Sequence, residues 1–397
     1  MEPSIYSYSL CIALPLMLFF GFYFLLAKTP EKPIFENYLR SRRIMGVAIL
    51  LLAANYSAHF FLEIRFKNAD AAILMNLSTY FLCYWLFSSA LTTLINRFYI
   101  TKRRLWSHVC QWMLFTILSG IVLLLLPKGG LQTMAVFALA AWLVIYGLFL
   151  ARRLLMAYHK VIRIFDDTHA DDIGAYIKWL SVFTYWAVTF GVGCGLLTFL
   201  PEEYVYIWIL SSVPFYVYLF LCYLNYLLFY EQVENAMEDG MTSVVEDLCD
   251  STNQEQAQRQ DTPMFHAEIA KRIKGWIDAD GYIQSSLTIK ELSDLLHTNR
   301  TYLYRYIKST YDMSFRDWIT GLRIEYAKRL LVQYPRLTVA DISEKSGFLS
   351  PSHFIRLFKE NVGCTPVKWR KTEAKQRQNN TVCYGMGEIA QSTKRIA

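Results

Sequence analysis

Arg305 and Lys308 lie three residues apart, and so do Arg356 and Lys359. The two pairs hold equivalent places in two stretches that resemble each other. The first reads Thr288-Ile-Lys-Glu-Leu-Ser293 and then Asn299-Arg-Thr-Tyr-Leu-Tyr-Arg-Tyr-Ile-Lys308. The second reads Thr338-Val-Ala-Asp-Ile-Ser343 and then Ser350-Pro-Ser-His-Phe-Ile-Arg-Leu-Phe-Lys359. A guanidinium presents two parallel N–H groups that match the two major-groove acceptors of guanine. An ammonium neutralises phosphate. The repeated chemistry is therefore that of base reading beside backbone anchoring.

A second pair is of a different kind. His59 and Glu63 are one helical turn apart in an apolar run, a combination suited to an intramembrane proton or ligand site. Asn55, Asn76 and Asn225 also fall in apolar runs, where packing contacts and ligand contacts are equally expected. No HExxH, GxSxG or P-loop pattern occurs. The eight cysteines form no CxxC and no Cys/His cluster at ligand spacing. The expectation is a non-enzyme without a metal or cofactor.

The elements that must position the basic pairs are legible. Thr288 with Glu291, and Thr338 with Asp341, set a cap hydroxyl three residues before a carboxylate. Asn299 and Ser350 are cap types for the helices that follow, and Pro351 takes the favoured first helical position. Apolar residues at 289, 292, 295 and 296 face 303 and 307, and 339 and 342 face 354 and 358. Each copy is thus a pair of short helices with apolar inner faces, the physics of a helix-turn-helix unit. Tyr302, Leu303, Tyr306, Ile307, Phe354 and Phe358 are expected in the core. Arg316, Arg323 and Arg336 are expected to be solvated or facing phosphate.

These copies sit in a basic module. From Phe265 to Arg377 there are 20 Lys and Arg against 12 Asp and Glu. The preceding stretch, Glu231 to Thr262, is acidic, with nine carboxylates and Arg259 alone in opposition. In it Val233, Met237, Met241, Val244 and Leu248 recur as one helical stripe, suited either to pairing with a second copy or to packing within its own domain. Ser251 to Gln260 is polar throughout and reads as a flexible linker.

The rest of the 397 residues is apolar. The whole chain is 54% hydrophobic and 18% charged, which excludes an ordinary soluble protein. Seven runs near 5–27, 44–64, 71–95, 105–126, 133–151, 173–200 and 204–230 approach the length that crosses a bilayer. The first has neither a basic leader nor a small-residue cleavage site, so it reads as a retained helix. The first, third and fifth connections hold 13 Lys and Arg, and the other side holds 3. Basic loops stay in the cytoplasm. This places the N-terminus outside and everything after Tyr230 in the cytoplasm.

Residues 265–372 resemble the DNA-binding domain of the AraC/XylS family of bacterial transcription regulators. The matching segments are Leu287-Thr-Ile-Lys-Glu-Leu292, Leu322-Arg-Ile-Glu-Tyr-Ala-Lys-Arg-Leu-Leu331, Val339-Ala-Asp-Ile-Ser343, Ser346-Gly-Phe348, His353-Phe-Ile-Arg-Leu-Phe-Lys359 and Gly363-Cys-Thr-Pro366 before Trp369-Arg370. The resemblance implies two helix-turn-helix units joined by a long helix, about Ser314–Tyr334, with both recognition helices in successive major grooves. It implies that Arg300, Thr301, Tyr304 and Arg305, with Lys308 closing the helix, face DNA from the first unit. Pro351, Ser352, His353 and Arg356, with Lys359, do so from the second. The chain departs from the family pattern at His297, where the turn usually has Gly, and at Ser293 and Ser343, where it usually has Ala.

The resulting expectation is an all-α protein. A seven-transmembrane-helix bundle spans 1–230, an acidic helix and linker 231–262, an AraC-type double helix-turn-helix domain 263–372 and a polar tail 373–397. It is a multi-pass protein of the bacterial inner membrane, a tethered regulator of transcription whose membrane half is sensor or anchor. Its expected partners are double-stranded DNA, membrane lipid, a second copy of the chain and an unidentified small ligand or membrane protein. The competing expectation is a receptor or transporter-like protein whose tail docks a partner.

Overall fold

The computed structural model describes residues 5–197, 202–250 and 263–373. The linker and polar-tail expectations fall largely outside these residues. Every regular element described is helical, apart from an isolated bridge between His169 and Thr288. The chain divides into two units. One comprises Met1–Ile162 and Gly174–Met237, and the other Arg163–Ile173 and Glu238–Ala397.

In the first unit α1 spans Ile5–Leu26, α2 Glu36–Phe61, α3 Ala69–Ile95 and α4 Lys102–Gly120. A π-type turn, Ile121–Leu125, continues α4. α5 runs Gly130–Thr168, α6 Gly174–Leu197 and α7 Glu202–Asp250. Hydrogen bonding within each helix satisfies backbone groups that hydrocarbon cannot. Six helices among the described residues are long and apolar enough to cross a membrane: α1, α2, α3, α4, α5 and the Ile209–Met237 part of α7. The stretch expected as a sixth run is helical as α6; it is not among the six, and the end of the run lies outside the described residues.

Small residues and interhelical hydrogen bonds hold such bundles together. A Cβ on Gly21 would meet the Leu50 side chain at 2.5 Å, which fixes how closely α1 and α2 approach. Asn37 Nδ2 donates to Thr93 O at 2.7 Å, and Tyr38 OH to Tyr223 O at 2.9 Å. α2 is thereby tied to both α3 and α7. Tyr84 of α3 donates to Gly191 O of α6, and Phe183 of α6 stacks on Phe215 of α7 with centroids 4.7 Å apart.

The second unit contains α8, Pro263–Asp278, then α9 Ile289–Leu295, α10 Arg300–Tyr311 and α11 Phe315–Gln333. α12 Val339–Lys345 and α13 Pro351–Val362 follow, and residues 366–373 are again helical. Two cores form. Leu292, Leu303, Ile307, Phe315 and Ile319 belong to the first, and Ile324, Leu331, Ile342, Phe354 and Phe358 to the second. α11 contributes its first half to one core and its second half to the other. It therefore fixes the spacing of the two helix pairs.

Candidate nucleic-acid interface

The two pairs are built alike. Thr288 Oγ1 accepts from Glu291 N at 3.2 Å, and the Glu291 carboxylate accepts from Thr288 N at 2.9 Å. Thr338 and Asp341 repeat this reciprocal cap at 3.1 and 2.9 Å. Loss of such a cap costs about 1 kcal/mol. Both turns then reverse through a left-handed residue, His297 at φ 49° and Gly347 at φ 80°. In each, the next amide closes back on a serine carbonyl: Thr298 N to Ser293 O at 2.9 Å and Phe348 N to Ser343 O at 3.0 Å. His297 thus adopts the backbone usually given to Gly. The extra residue of the second copy is Leu349, placed after this closure and half exposed. Ser293 and Ser343 are buried where the paired helices meet.

Helices α10 and α13 each run for 12 residues. Asn299 Oδ1 accepts from Tyr302 N at 2.7 Å, and Ser350 Oγ from His353 N at 3.3 Å. All six side chains expected in the core, Tyr302, Leu303, Tyr306, Ile307, Phe354 and Phe358, are buried. On the opposite faces Arg305, Lys308, Pro351, Ser352, Arg356 and Lys359 are exposed, while Arg300, Thr301, Tyr304 and His353 are half-buried. The inward anchors leave each expected contact residue on one outward surface of its helix.

Several of these residues meet carboxylates from Arg163–Ile173, which comprises the end of α5 and its connection to α6. Arg356 pairs with Asp172 through Nη2, and its Nη1 lies 3.2 Å from Glu360 Oε1. His353 Nε2 is 3.5 Å from Asp172, and Tyr304 OH is 3.5 Å from Asp167. Arg316 pairs with Asp166 at 2.8 Å and Asp172 at 3.0 Å. Burial raises the pKa of Asp172, but His353, Arg316 and Arg356 together outweigh it and hold the carboxyl below its ordinary range.

Arg323 corrects the expectation of a solvated or phosphate-facing residue. Its side chain is 1% exposed. It donates to Tyr282 O at 2.8 Å and Gln284 O at 2.6 Å and pairs with Asp171 at 3.0 Å. Burial pulls its pKa down, and Asp171 opposes that. The signal was its spacing: Ile319, Arg323, Ala327 and Leu331 recur every four residues, so Arg323 lies on the apolar stripe. Arg336, by contrast, is exposed.

In the membrane-like unit His59 is buried on α2 with Nε2 2.8 Å from Asn76 Oδ1. Glu63 lies beyond the end of α2, exposed and at φ 49°. The structure does not place the two on one helix face. Asn55 donates to Thr79 Oγ1 at 3.1 Å, and Asn225 is exposed. A cavity of about 130 Å³ lies between α2, α3, α5, α6 and α7, with Tyr56, Tyr84, Phe87, Gly147, Thr184 and Phe215 on its walls.

Residues 292–372 match the family described as "Helix-turn-helix domain". The chain is 32% identical over 96 residues to the Msm operon regulatory protein of Streptococcus mutans, covering 24% of this chain and 33% of that protein. It is 36% identical over 72 residues to the HTH-type transcriptional regulator ExsA of Pseudomonas aeruginosa, covering 18% and 26%. Among solved structures it is similar to the C-terminal domain of the two-component response regulator yesN from Fusobacterium nucleatum. The identity there is 32%, covering 25% of this chain and 97% of that one, with a TM-score of 0.24. The chain thus spans about a third of the first of these proteins and about a quarter of the second. The C-terminal module is a helix-turn-helix domain of the AraC type, as found in transcription regulators. In this chain it follows a region with six helices of membrane-crossing length and composition among the described residues.

Proposed function

We propose that the protein is a membrane-embedded regulator that reads promoter DNA with α10 and α13 from the cytoplasmic face. The observation that carries this reading is the duplicated geometry. Two capped helix pairs present Arg305 with Lys308 and Arg356 with Lys359 at equivalent outward positions, their spacing fixed by α11. Arg300, Thr301, Tyr304, Pro351, Ser352 and His353 complete the two contact surfaces. The cavity between the helices supports a sensing role for an apolar ligand, since its walls are largely aromatic and aliphatic. The stripe from Val233 to Leu248 lies on α7, and its first member, Val233, is buried within the chain, so pairing with a second copy rests on the sequence pattern of the remainder. Side chains beyond Met237 lie outside the described residues.

Titrating the full-length chain in lipid nanodiscs with duplex DNA tests the reading. Binding is expected to weaken steeply with salt, because each phosphate contact releases counterions. Arg356→Ala should cost about 1–3 kcal/mol at the preferred site and relax preference at one base pair. Lys359→Ala should weaken all sequences alike. A uniform loss for Arg356→Ala would make it a phosphate contact only.

Seven crossings, with α6 as one of them, fit the ion pairs at one end of the bundle. Lys32 of the first connection is 3.0 Å from Glu231, and Arg97 of the third is 2.5 Å from Glu234. Those connections follow one and three crossings. The exit of α7 shares their end, which supports an odd number of crossings: seven with α6, six without it. Basic-loop asymmetry then puts that end in the cytoplasm and the N-terminus outside. A reporter active only in the cytoplasm should be active when fused after Tyr230 and silent after Glu203. The reverse pattern overturns this topology.

A further inference from the structure

We propose that Arg163–Ile173 is an acidic strap that covers the base-reading face of the second recognition helix and must leave it before that helix enters a major groove. The inference rests on the DNA-reading assignment above. Bidentate recognition of guanine needs two free N–H groups on one guanidinium. In this structure Nη2 of Arg356 is engaged by Asp172 and Nη1 by Glu360. His353 faces the same Asp172, and Tyr304 of the first recognition helix faces Asp167. Three residues assigned to DNA contact thus lie against carboxylates of one short segment. Carboxylates and phosphates compete for the same donors.

The strap has an anchored part and a covering part. Ala170 is 2% exposed within the first core, and its N–H donates to Leu287 O at 2.9 Å. Asp171 holds the buried Arg323. Asp172 is the next residue, and Gly174 already begins α6. The covering carboxylate is therefore placed between a fixed point in the core and the start of a helix belonging to the other unit. A shift of that helix start would turn Asp172 away from Arg356 while Asp171 stayed in place. Because the segment begins within the last turns of α5 and ends next to Gly174, it is covalently coupled to two helices.

The strap and DNA then bind one surface in competition, so removing the strap's charge must raise apparent affinity. The test uses the full-length chain in lipid nanodiscs and a pool of random duplexes of about 30 base pairs, enough for two successive major grooves. Asp172→Asn, alone and with Asp167→Asn, is expected to bind at least about tenfold tighter than wild type, one decade of Kd per 1.4 kcal/mol. Asp172→Glu should behave as wild type. Unchanged or weaker binding by the Asn variants overturns the strap. A second measurement needs no variant. The Ile173 amide, bonded to Asp171 O at 2.9 Å, should exchange hydrogen faster when wild type is saturated with duplex, and unchanged exchange overturns the proposal. If neither wild type nor the variants bind duplexes from the pool, the DNA-reading assignment itself fails and takes the strap with it.

Discussion

Arg323→Ala should destabilise the C-terminal unit by about 3–5 kcal/mol, the range found when one partner of a buried ion pair is removed. The cause is what remains rather than what is lost. Asp171 stays buried with its charge unmatched, and the carbonyls of Tyr282 and Gln284 lose their donors. Arg323→Lys should recover only part of this, because a single ammonium does not replace the planar fork that reaches two carbonyls and a carboxylate. Adding Asp171→Leu to Arg323→Met should restore much of the stability, since it removes the orphaned charge as well. Hydrogen exchange of α11 and α12 amides in the full-length chain measures all four variants. A loss under 1 kcal/mol for Arg323→Ala would mean that water reaches Asp171 and that the site is not closed.

Gly347→Ala should also be severe, at about 2 kcal/mol or more. A left-handed backbone costs a residue with a Cβ about 1–2 kcal/mol. The new methyl would also sit 2.2 Å from Ile283 O, a backbone atom with no rotamer to move into. The second helix pair should loosen, which the same exchange measurement detects as faster exchange in α12 and α13. His297 supplies the contrast. It holds the same turn at φ 49° and is exposed. His297→Gly should stabilise the first turn by about 1 kcal/mol, because it relieves the left-handed strain without filling any space. Equal and opposite signs at two equivalent turns would separate backbone conformation from packing as the reason for glycine.

The sequence by itself determined the helical class, the apolar and basic halves, and the duplicated helix pairs down to their caps. Those features rest on local physics. A cap hydroxyl and its carboxylate are three residues apart, a buried face repeats about every 3.6 residues, and a bilayer demands a long apolar run. The six core side chains of α10 and α13 followed from the same periodicity. The outward basic residues followed from being on the other side. The sequence shows α6 as an apolar run but not its neighbours in the bundle. What places it in the bundle is the non-local contact of Gly191 with Tyr84 and the stacking of Phe183 on Phe215.

Only the tertiary structure decided the fate of the charges. Arg316, Arg323 and His353 have no acidic partner in the recognition pairs that the repeat would reveal, and Arg356 has only Glu360, one turn on. Asp166, Asp171 and Asp172 read as the end of one apolar helix and the approach to the next. They lie more than 140 residues earlier in the chain, and sequence spacing carries no information about contacts over that distance. Burial then changes what a charge means. An arginine in water is a phosphate contact waiting for DNA, whereas Arg323 at 1% exposure is stable only because two carbonyls and Asp171 complete its hydrogen bonds.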